Sequence, residues 1–526
     1  MLSKKLYAVT LISAVLLSAE FVSAQSWQFV GTRAMGMGGA GVATSYGPDA
    51  QYWNPAGLAQ EEDRNETGLL INAGASLETT KKVLEGVGNL TDMSKQYKNL
   101  TNDISGNKKV SAEDLSTIFK GLNNVSKLIG DDMGALVNAD AGVGFKFKNF
   151  AVTGRAFTTG SITPVVDTKN IQFNTSGAGL QIGNPSAVLT PEQQTLADRL
   201  AAKIDETGTF GSLKTLLNDT SCTTSGQLAV ALIDAALSYG ITQKQLEQAV
   251  GTAVDNMSGA AELINQAASA TGNYKDNETL AMADTATFGE MSLGYGMQVF
   301  RGIKVGGNFK VISGYTAETG VMILTDDQKV KDIYKDAKDN KKNTTNVAVD
   351  LGAMLNLSQL LEKDIVLNPQ FGFTARNING PKFDRPDLPA GTNPAIAQNW
   401  RTDKYQLKPQ ARAGAAVNPF KWMTFAADID LTENETIAKN IKSRQLALGL
   451  EFNVVNKPTF NMPVRIGYNK NLAQSELEPF YTAGIGFNMM HFFIELAGAV
   501  STKTAEIDGK KYPSSAAASI TLGSLF

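Results

Sequence analysis

The chain has 526 residues, a formal net charge of −3, one cysteine and one histidine. This near-neutral charge gives no electrostatic basis for binding nucleic acid, and a single cysteine excludes an internal disulfide framework. No apolar run of 18 or more residues follows the first 24 residues, which excludes a bundle of membrane-spanning helices. Membrane-spanning strands are not excluded, because their alternating apolar and polar residues average to a neutral hydropathy.

The first 24 residues have the features of an export signal. Lys4 and Lys5 precede an apolar run that ends at Leu17, and small residues precede Gln25. This order predicts a secretory signal peptide, residues 1–24, cleaved after Ala24. A membrane anchor is the alternative, but apolar character fades at Glu20, and the absence of a cysteine at the cleavage position disfavours a lipoprotein anchor.

A glycine-rich segment follows directly. Residues 36–41 read GMGGAG and match the dinucleotide fingerprint G-x-G-x-x-G, with Glu61 and Glu62 downstream. A dinucleotide site needs a strand before the glycines and an acidic residue at the end of the next strand. Only eleven residues separate the predicted cleavage site from the motif, and the two glutamates follow the turn-forming sequence NPAGLAQ. We therefore reject a nucleotide site and expect no cofactor.

Small residues also allow another backbone to approach closely. Pro55 restricts Asn54 to extended geometry, and the Asn54 side chain can bond to nearby backbone. Residues 25–62 are thus predicted to form a compact plug without a core of its own, which folds only inside a larger structure. The candidate plug and gate residues are Gly36, Gly38, Gly39, Gly41, Asn54, Pro55 and Ala56.

Residues 63–526 are dominated by a period of two. In QLALGLEFNV, residues 445–454, apolar side chains occupy one face, and polar or small side chains occupy the other. Such alternation predicts half-buried strands, and their length suits tilted membrane-spanning strands. About fourteen strands are predicted, near 65–77, 136–148, 150–163, 285–300, 301–317, 343–357, 363–376, 404–417, 421–433, 442–455, 462–471, 479–489, 491–503 and 514–526.

The connections between these strands alternate between short and long. This asymmetry is typical of outer-membrane barrels, which have short periplasmic turns and long external loops. An even strand count then predicts that both termini are periplasmic. The final segment, ASITLGSLF, ends on Phe526 and resembles the last strand of bacterial outer-membrane barrels. The predicted fold is an all-β membrane barrel of about 14 antiparallel strands with an N-terminal plug.

Two long connections, 78–135 and 164–284, carry helical spacing and are predicted to be helical extracellular insertions. Thr190 followed by Pro191 predicts a helix start in the second insertion. One interpretation is solvated helical decoration above the barrel. The other is a lid or a ligand-capture surface, since loops of this length often have functions.

The same alternation predicts which charged residues face the lumen. The predicted inward cations are Lys146, Lys148, Arg155, Lys304, Lys310, Arg376, Lys408, Arg412 and Arg465, and the predicted inward acids are Asp140, Glu290, Asp350, Asp364, Asp428, Asp430, Glu451 and Glu495. The candidate lumen charges are Arg155, Lys310, Arg376, Arg412, Arg465, Glu290, Asp350, Asp428, Asp430 and Glu451. Balanced signs favour a plugged lumen with salt bridges over an ion-selective pore, which would show a constriction of one sign. Scattered solvated charges in a wide channel are the alternative.

No residue pattern indicates catalysis or metal binding. His491 lies in a predicted short turn without a serine nearby, and no metal-ligand spacing surrounds Cys222. We therefore expect a protein that is not an enzyme and has no metal site. Trp422, beside a predicted periplasmic turn, has two interpretations: an interfacial anchor or lumen packing.

Several segments together resemble a known family. Gly31, residues 33–43, Asp49-Ala50 and residues 54–58 resemble the N-terminal plug of the long-chain fatty-acid transporter (FadL-type) superfamily of outer-membrane barrels. Within it, residues 409–434, RQLALGLEFN and RIGYNKN are similar to the TraF-like conjugal transfer group. The resemblance implies fourteen strands, contact with outer-membrane lipid, and passage of a hydrophobic small-molecule ligand as the plug moves. The TraF-like group implies an alternative, an assembly role with envelope, conjugation or secretion proteins.

Overall fold

The computed structural model describes most of the chain after the predicted signal peptide. The described residues are 26–60, 67–80, 123, 134–165, 167, 169–170, 182–217, 219–238, 240–269, 278–322, 339–387, 404–438, 441–457, 459–507 and 510–526. The predicted signal peptide, 1–24, and nearly all of the predicted helical insertion 78–135 lie outside them. Within these ranges, no helix combines the length and apolarity needed to cross a membrane.

Fourteen strands form a closed antiparallel barrel, which confirms the predicted fold class. They are β1 (Thr67–Thr79), β2 (Ala135–Phe147), β3 (Phe150–Val165), β4 (Leu280–Phe300), β5 (Ile303–Met322), β6 (Lys342–Asn356), β7 (Gln370–Arg376), β10 (Gln410–Phe420), β11 (Met423–Asp430), β14 (Gln445–Lys457), β15 (Phe460–Asn471), β16 (Phe480–Met489), β17 (Phe492–Ser501) and β20 (Ser515–Leu525). The first strand pairs with both β2 and the last strand, β20, which closes the barrel.

Among the described residues, six shorter strands form hairpins outside the barrel ladder. They are β8 (Lys382–Asp384) with β9 (Lys404–Gln406), β12 (Asn434–Glu435) with β13 (Lys442–Ser443), and β18 (Thr504–Ile507) with β19 (Lys510–Pro513). All three hairpins lie in connections at one end of the barrel, which we call the long-loop end. The opposite end carries turns such as 148–149 and 490–491, and we call it the short-turn end.

The barrel exposes its apolar face and buries its polar face. On β20, Ile520 and Leu522 are exposed, whereas Ser519 and Thr521 are buried. Apolar side chains outside and polar side chains inside recur around the barrel, which is the opposite of a soluble protein and typical of a membrane-spanning barrel with a polar interior. Trp422 is also exposed and stacks on Phe420 with 5.1 Å between ring centroids, which favours the interfacial-anchor interpretation.

Several strand boundaries differ from the predicted ones, and two of the differences have a clear local cause. The predicted strand 363–376 begins only at Gln370, because Asn356 accepts a hydrogen bond from the Gln359 backbone N–H at 3.0 Å and caps a short helix. The predicted strand 404–417 is divided, since residues 404–406 pair with β8 and the barrel strand starts at Gln410.

Three predicted lumen charges are wrong. Asp364 follows the short helix and is exposed, and Lys408 lies between β9 and β10 and is exposed. Lys148 occupies an exposed turn with a φ of 50°. Strand parity fails at all three because none of them belongs to a regular barrel strand.

The predicted insertion 164–284 contains a helical domain. Its helices are α3 (Pro191–Thr207), α4 (Phe210–Leu216), α5 (Ser225–Ser238) and α6 (Gln243–Ser269). The helices before it, α1 (Thr32–Gly36) and α2 (Ala50–Trp53), belong to the predicted plug, and α7 (Leu357–Leu361) is the short helix that precedes β7. Thr190 and Gln193 form a reciprocal capping box at the start of α3, as the Thr-Pro pair predicted. The helices enclose their own apolar core, which includes Cys222 and joins the barrel at Ala135.

Candidate functional site

Residues 26–60 form a plug inside the barrel, and almost every one of them is buried. The plug enters near the long-loop end, where the Trp27 carbonyl accepts a hydrogen bond from Gln445 Nε2 at 3.2 Å. It ends near the short-turn end, where Gln60 Oε1 accepts a hydrogen bond from Lys304 Nζ at 3.2 Å. The segment therefore runs along the barrel interior before β1 begins.

An aromatic cluster joins the start of the plug, at Trp27, to the end of helix α2, at Tyr52 and Trp53. The rings of Trp27 and Trp53 stack with centroids 5.9 Å apart, and Tyr52 packs edge-on against both. Trp53 Nε1 donates to the Val30 carbonyl at 2.9 Å, so the indole is satisfied within the plug. The plug thus has a small core, which also touches the wall at Phe157.

The plug glycines have two structural roles. Gly38 and Gly39 adopt left-handed φ values of 68° and 91°, which disfavour residues with a side chain. Gly36 and Gly41 are crowded, since a Cβ on Gly41 would lie 2.8 Å from the Trp53 ring and one on Gly36 would lie 3.1 Å from Arg465 Cβ. The fingerprint-like string therefore serves tight turns and close packing.

The barrel wall supplies matching glycines, which the sequence did not single out. A Cβ on Gly449 or Gly467 would overlap the plug at Met37, and one on Gly352 would overlap Asn54 and Pro55. Glycine on both surfaces lets the plug backbone lie directly against the strand backbone. The positions could have been found only as small residues at inward-facing parity.

Asn54 joins three parts of the site. Its Nδ2 donates to the Val42 carbonyl in the plug and to the Ala353 carbonyl in the wall, each at 3.0 Å. Its Oδ1 accepts the Ala56 backbone N–H at 3.1 Å and caps the 3₁₀ helix Pro55–Ala59. Asn54, Pro55 and Ala56 are all buried against the wall.

One charged network spans the plug and the wall. Arg33 contacts Glu451 at two points, Nε–Oε2 at 2.9 Å and Nη2–Oε1 at 3.1 Å. Arg465 bridges Glu451 and Glu495 at 2.6 Å and 2.9 Å, and the Thr32 hydroxyl donates to Glu495 at 2.7 Å. The plug residues Arg33 and Thr32 therefore bond to the two wall carboxylates that Arg465 bridges.

A second set of contacts surrounds the glycine segment. Asp428 Oδ2 accepts the backbone N–H groups of Gly41 and Val42 at 2.8 Å and 2.9 Å, so two successive amides hold one carboxylate oxygen. Asp430 pairs with Arg412 at 2.6 Å, and the Arg412 guanidinium also lies over the Trp27 ring. These carboxylates and the arginine are buried in the wall.

The remaining predicted charges line the other side of the lumen. Arg155 contacts Asp49 of the plug, and Asn72 Nδ2 donates to the same aspartate at 3.1 Å. Lys310 lies 3.0 Å from Asp350 and 3.8 Å from Glu290. Arg376 stacks over Tyr52 with 4.1 Å to the ring centroid. All ten candidate lumen charges are buried within the barrel, and most contact either the plug or each other.

Apolar residues close the interior at the long-loop end. The hairpin β8–β9 folds inward, and Phe383, Tyr405 and Leu407 pack on the wall residues Phe288 and Ile312. We call these five residues and Ile437, Ala438 and Ile441, which pack beside them, the roof cluster. Sequence analysis placed β8 in a connection and β9 within the predicted strand 404–417, because strands of three residues are too short to show an alternation of their own.

A cavity of about 90 Å³ lies between Arg33, Tyr46 and Asp49 on the plug and Phe493 and Glu495 on the wall. In the described part of the chain, no group of three or more His, Cys, Asp or Glu residues could hold a metal ion. His491 lies in its predicted turn with its ring stacked on Phe526, 4.7 Å between centroids.

A closed barrel with an apolar exterior, a polar interior and an N-terminal plug defines a plugged transmembrane barrel of the outer-membrane type. Residues 51–430 match the family model described as "F plasmid transfer operon, TraF, protein". The chain belongs to this family. No curated protein sequence matches the chain.

Solved structures of two toluene transporters and a FadL homologue are among those similar to the chain. The toluene transporter TbuX of Ralstonia pickettii is 10% identical, with 94% of this chain and 98% of that chain covered and a TM-score of 0.40. A FadL homologue of Pseudomonas aeruginosa is 9% identical, with 96% and 99% covered and a TM-score of 0.38. The P. putida toluene transporter TodX is 7% identical, with 95% and 99% covered and a TM-score of 0.39.

Proposed function

We propose that this barrel passes hydrophobic small molecules, such as long-chain fatty acids, across the outer membrane, and that its plug is the gate. Gly36, Gly38, Gly39, Gly41 and the Asn54-Pro55-Ala56 turn are the proposed gate residues. The short-turn end and both termini are proposed to face the periplasm. A hydrophobic ligand would enter from the long-loop end, and outer-membrane lipid would surround the apolar face.

The observation that carries this proposal is how the plug is attached. Among the described residues, every hydrogen bond between plug and wall has a side chain at one end at least, as in the Asp428, Asn469 and Thr482 contacts. Barrel strands pair only with other barrel strands. The plug can therefore move without breaking a strand ladder, whose disruption would open the barrel edge to lipid.

The closed interior supports a gate rather than an open pore. Buried residues of both charge signs alternate around the plug, and a permanently open ion channel would not need such pairing. The roof cluster adds an inward-facing apolar surface at the end where a hydrophobic compound would arrive. Passage of such a compound is thus coupled to displacement of internal segments.

Uptake of a radiolabelled long-chain fatty acid tests the proposal. Cells lacking the chain would be complemented with the native protein, with Asn54→Ala, or with a chain lacking residues 26–60. We expect uptake with the native protein, altered uptake with Asn54→Ala, and loss of gating in the deletion. Arg199→Ala is the matched control, because Arg199 lies in the helical domain and is exposed. Absence of both binding and uptake by the native protein would refute passage of such ligands.

A second candidate function is assembly of conjugation or secretion machinery. The family description refers to a plasmid transfer operon, and the helical domain has a core of its own that a transport pore does not require. Replacing α3–α6 by a short linker separates the two functions. Lost conjugation with unchanged uptake would favour assembly, and lost uptake with unchanged conjugation would favour passage.

A further inference from the structure

An aromatic pocket lies in the barrel wall at the long-loop end. Its lining residues are Phe288, Ile312 and Gly314 of the wall, which we call the Phe288 pocket. Phe383 of the β8–β9 hairpin fills it, with 4.3 Å between the ring centroids of Phe383 and Phe288. Tyr405 of the same hairpin also packs on Phe288, with 5.5 Å between ring centroids, and Phe383 is completely buried.

The wall is recessed where the two rings meet. Gly314 of β5 faces the barrel interior, and a Cβ there would overlap the rings of both Phe288 and Phe383. Its inward-facing neighbours Thr316 and Glu318 are polar, as is usual in this lumen. The missing side chain of Gly314 therefore leaves room for one aromatic ring, and that ring comes from the hairpin and not from the wall.

The hairpin that supplies Phe383 is held by side-chain contacts. Arg385 lies 2.9 Å from Asp284 and 3.5 Å from Glu318, both on the barrel wall. Thr316 Oγ1 donates to the Asp384 carbonyl at 2.6 Å. Within the described ranges, strands β8 and β9 pair with each other and with no barrel strand, so the hairpin can leave the wall without opening a barrel ladder.

We propose that the Phe288 pocket is the capture site for the uncharged apolar part of a ligand, and that Phe383 occupies the position which this part takes. The ligand displaces Phe383 and moves the hairpin, which opens the roof cluster. This inference rests on the proposed function, and it adds the entry site and the ligand class. A ring of phenyl size or an alkyl end fits this role, because the lining is hydrocarbon and aromatic. A carboxylate does not fit, because its burial there would be costly.

Thiol labelling at position 407 measures displacement of the hairpin. Leu407 is buried in the roof cluster, so Leu407→Cys in a Cys222→Ser background should react slowly with a water-soluble maleimide. We expect benzene to raise that rate by about tenfold, as local opening exposes the position, whereas benzoate leaves it unchanged. Cys222 of the native chain is the control for general unfolding and should stay slow with both compounds.

Two glycine variants test the recess. In the same background, Gly314→Ala should give fast labelling that benzene no longer changes, because the added methyl group displaces Phe383. Gly320→Ala is the matched control on the same strand, where the nearest atom to an added Cβ is the flexible Met282 Sδ at 3.3 Å; it should behave as the parent does. A rate that benzene leaves unchanged in the parent, or raises equally in Gly314→Ala, would overturn the capture site.

Thiol labelling tests the capture site, and fatty-acid uptake tests passage, so either proposal can be refuted without the other. Uptake without a labelling response would refute the capture site while passage stands. A labelling response without uptake of any apolar compound would support the capture site and refute passage.

Discussion

Arg33 of the plug and Glu451 of the barrel wall form a two-point ion pair across 418 residues of sequence. Glu451 also contacts Arg465, so one wall carboxylate is shared between an arginine of the plug and an arginine of the wall. If the plug moves as proposed, Arg465 keeps Glu451 paired. Release of Arg33 would then not leave Glu451 as an isolated buried charge.

Arg33→Ala should loosen the plug. The change removes a charge-assisted pair and the bond to the Thr44 carbonyl, and we expect a loss of about 1–3 kcal/mol of plug seating. Single-barrel conductance in a planar bilayer should show more frequent openings. Arg33→Lys should be intermediate, since lysine keeps the charge but not the two-point geometry. Conductance identical to the native barrel in both variants would contradict the role of this pair.

Gly449→Ala should prevent the plug from seating fully, because the new methyl group would overlap Met37. We expect a cost of about 1–3 kcal/mol from overpacking and faster proteolysis of the plug in detergent. Gly289→Ala is the matched control, since an added Cβ there has open space around it. Equal protection of the plug in the two variants would show that the backbone contact is unimportant.

Asp428→Asn should weaken the grip on the glycine segment. One carboxylate oxygen accepts two successive backbone N–H groups, and the neutral oxygen of an amide accepts the same two groups without the charge that strengthens these bonds. We expect the glycine segment to be destabilised by about 1–2 kcal/mol. Hydrogen exchange measured over a range of temperatures should show that the amides of residues 36–44 lose protection at a lower temperature than in the native chain. Unchanged exchange of these amides would argue that Asp428 does not hold the segment.

Cys222 should be unreactive in the native protein. Burial raises the pKa of the Cys222 thiol, helped by its contact with Asp219, so little thiolate is present near neutral pH. Maleimide labelling should be slow at neutral pH, should increase only as the pH rises, and should become fast in denaturant. Val188→Cys in a Cys222→Ser background is the control, since Val188 is fully exposed. Similar rates at both positions would mean that the helical domain is not closed.

The barrel could be predicted from sequence because its signal repeats. Each strand exposes apolar and buries polar residues, so alternation located all fourteen strands. Prediction failed before Gln370, where the Asn356 cap starts a short helix, a local event that a period of two does not register. It also missed the β8–β9 hairpin, where Phe383 and Tyr405 lie in strands of three residues each.

The sequence predicted which residues of the candidate site face the lumen or pack closely, but not which of them contact each other. Small residues indicated close packing of residues 25–62, and parity indicated that Glu451 and Asp428 face the lumen. Neither signal says that Glu451 meets Arg33 or that Asp428 meets the amide of Gly41, because these partners are distant in sequence. Such contacts depend on how the plug lies in the closed barrel.

The central claim is that the plug moves during passage, and a reversible tether tests it most directly. Thr32 of the plug and Thr521 of β20 are adjacent, with 3.2 Å between Thr32 N and Thr521 Oγ1. The chain with Thr32→Cys and Thr521→Cys in a Cys222→Ser background would be oxidised, checked for the crosslink by mass, and assayed for fatty-acid uptake. The account predicts that uptake stops when the tether forms and returns on reduction, while each single variant transports throughout. Full uptake by the crosslinked chain would contradict it.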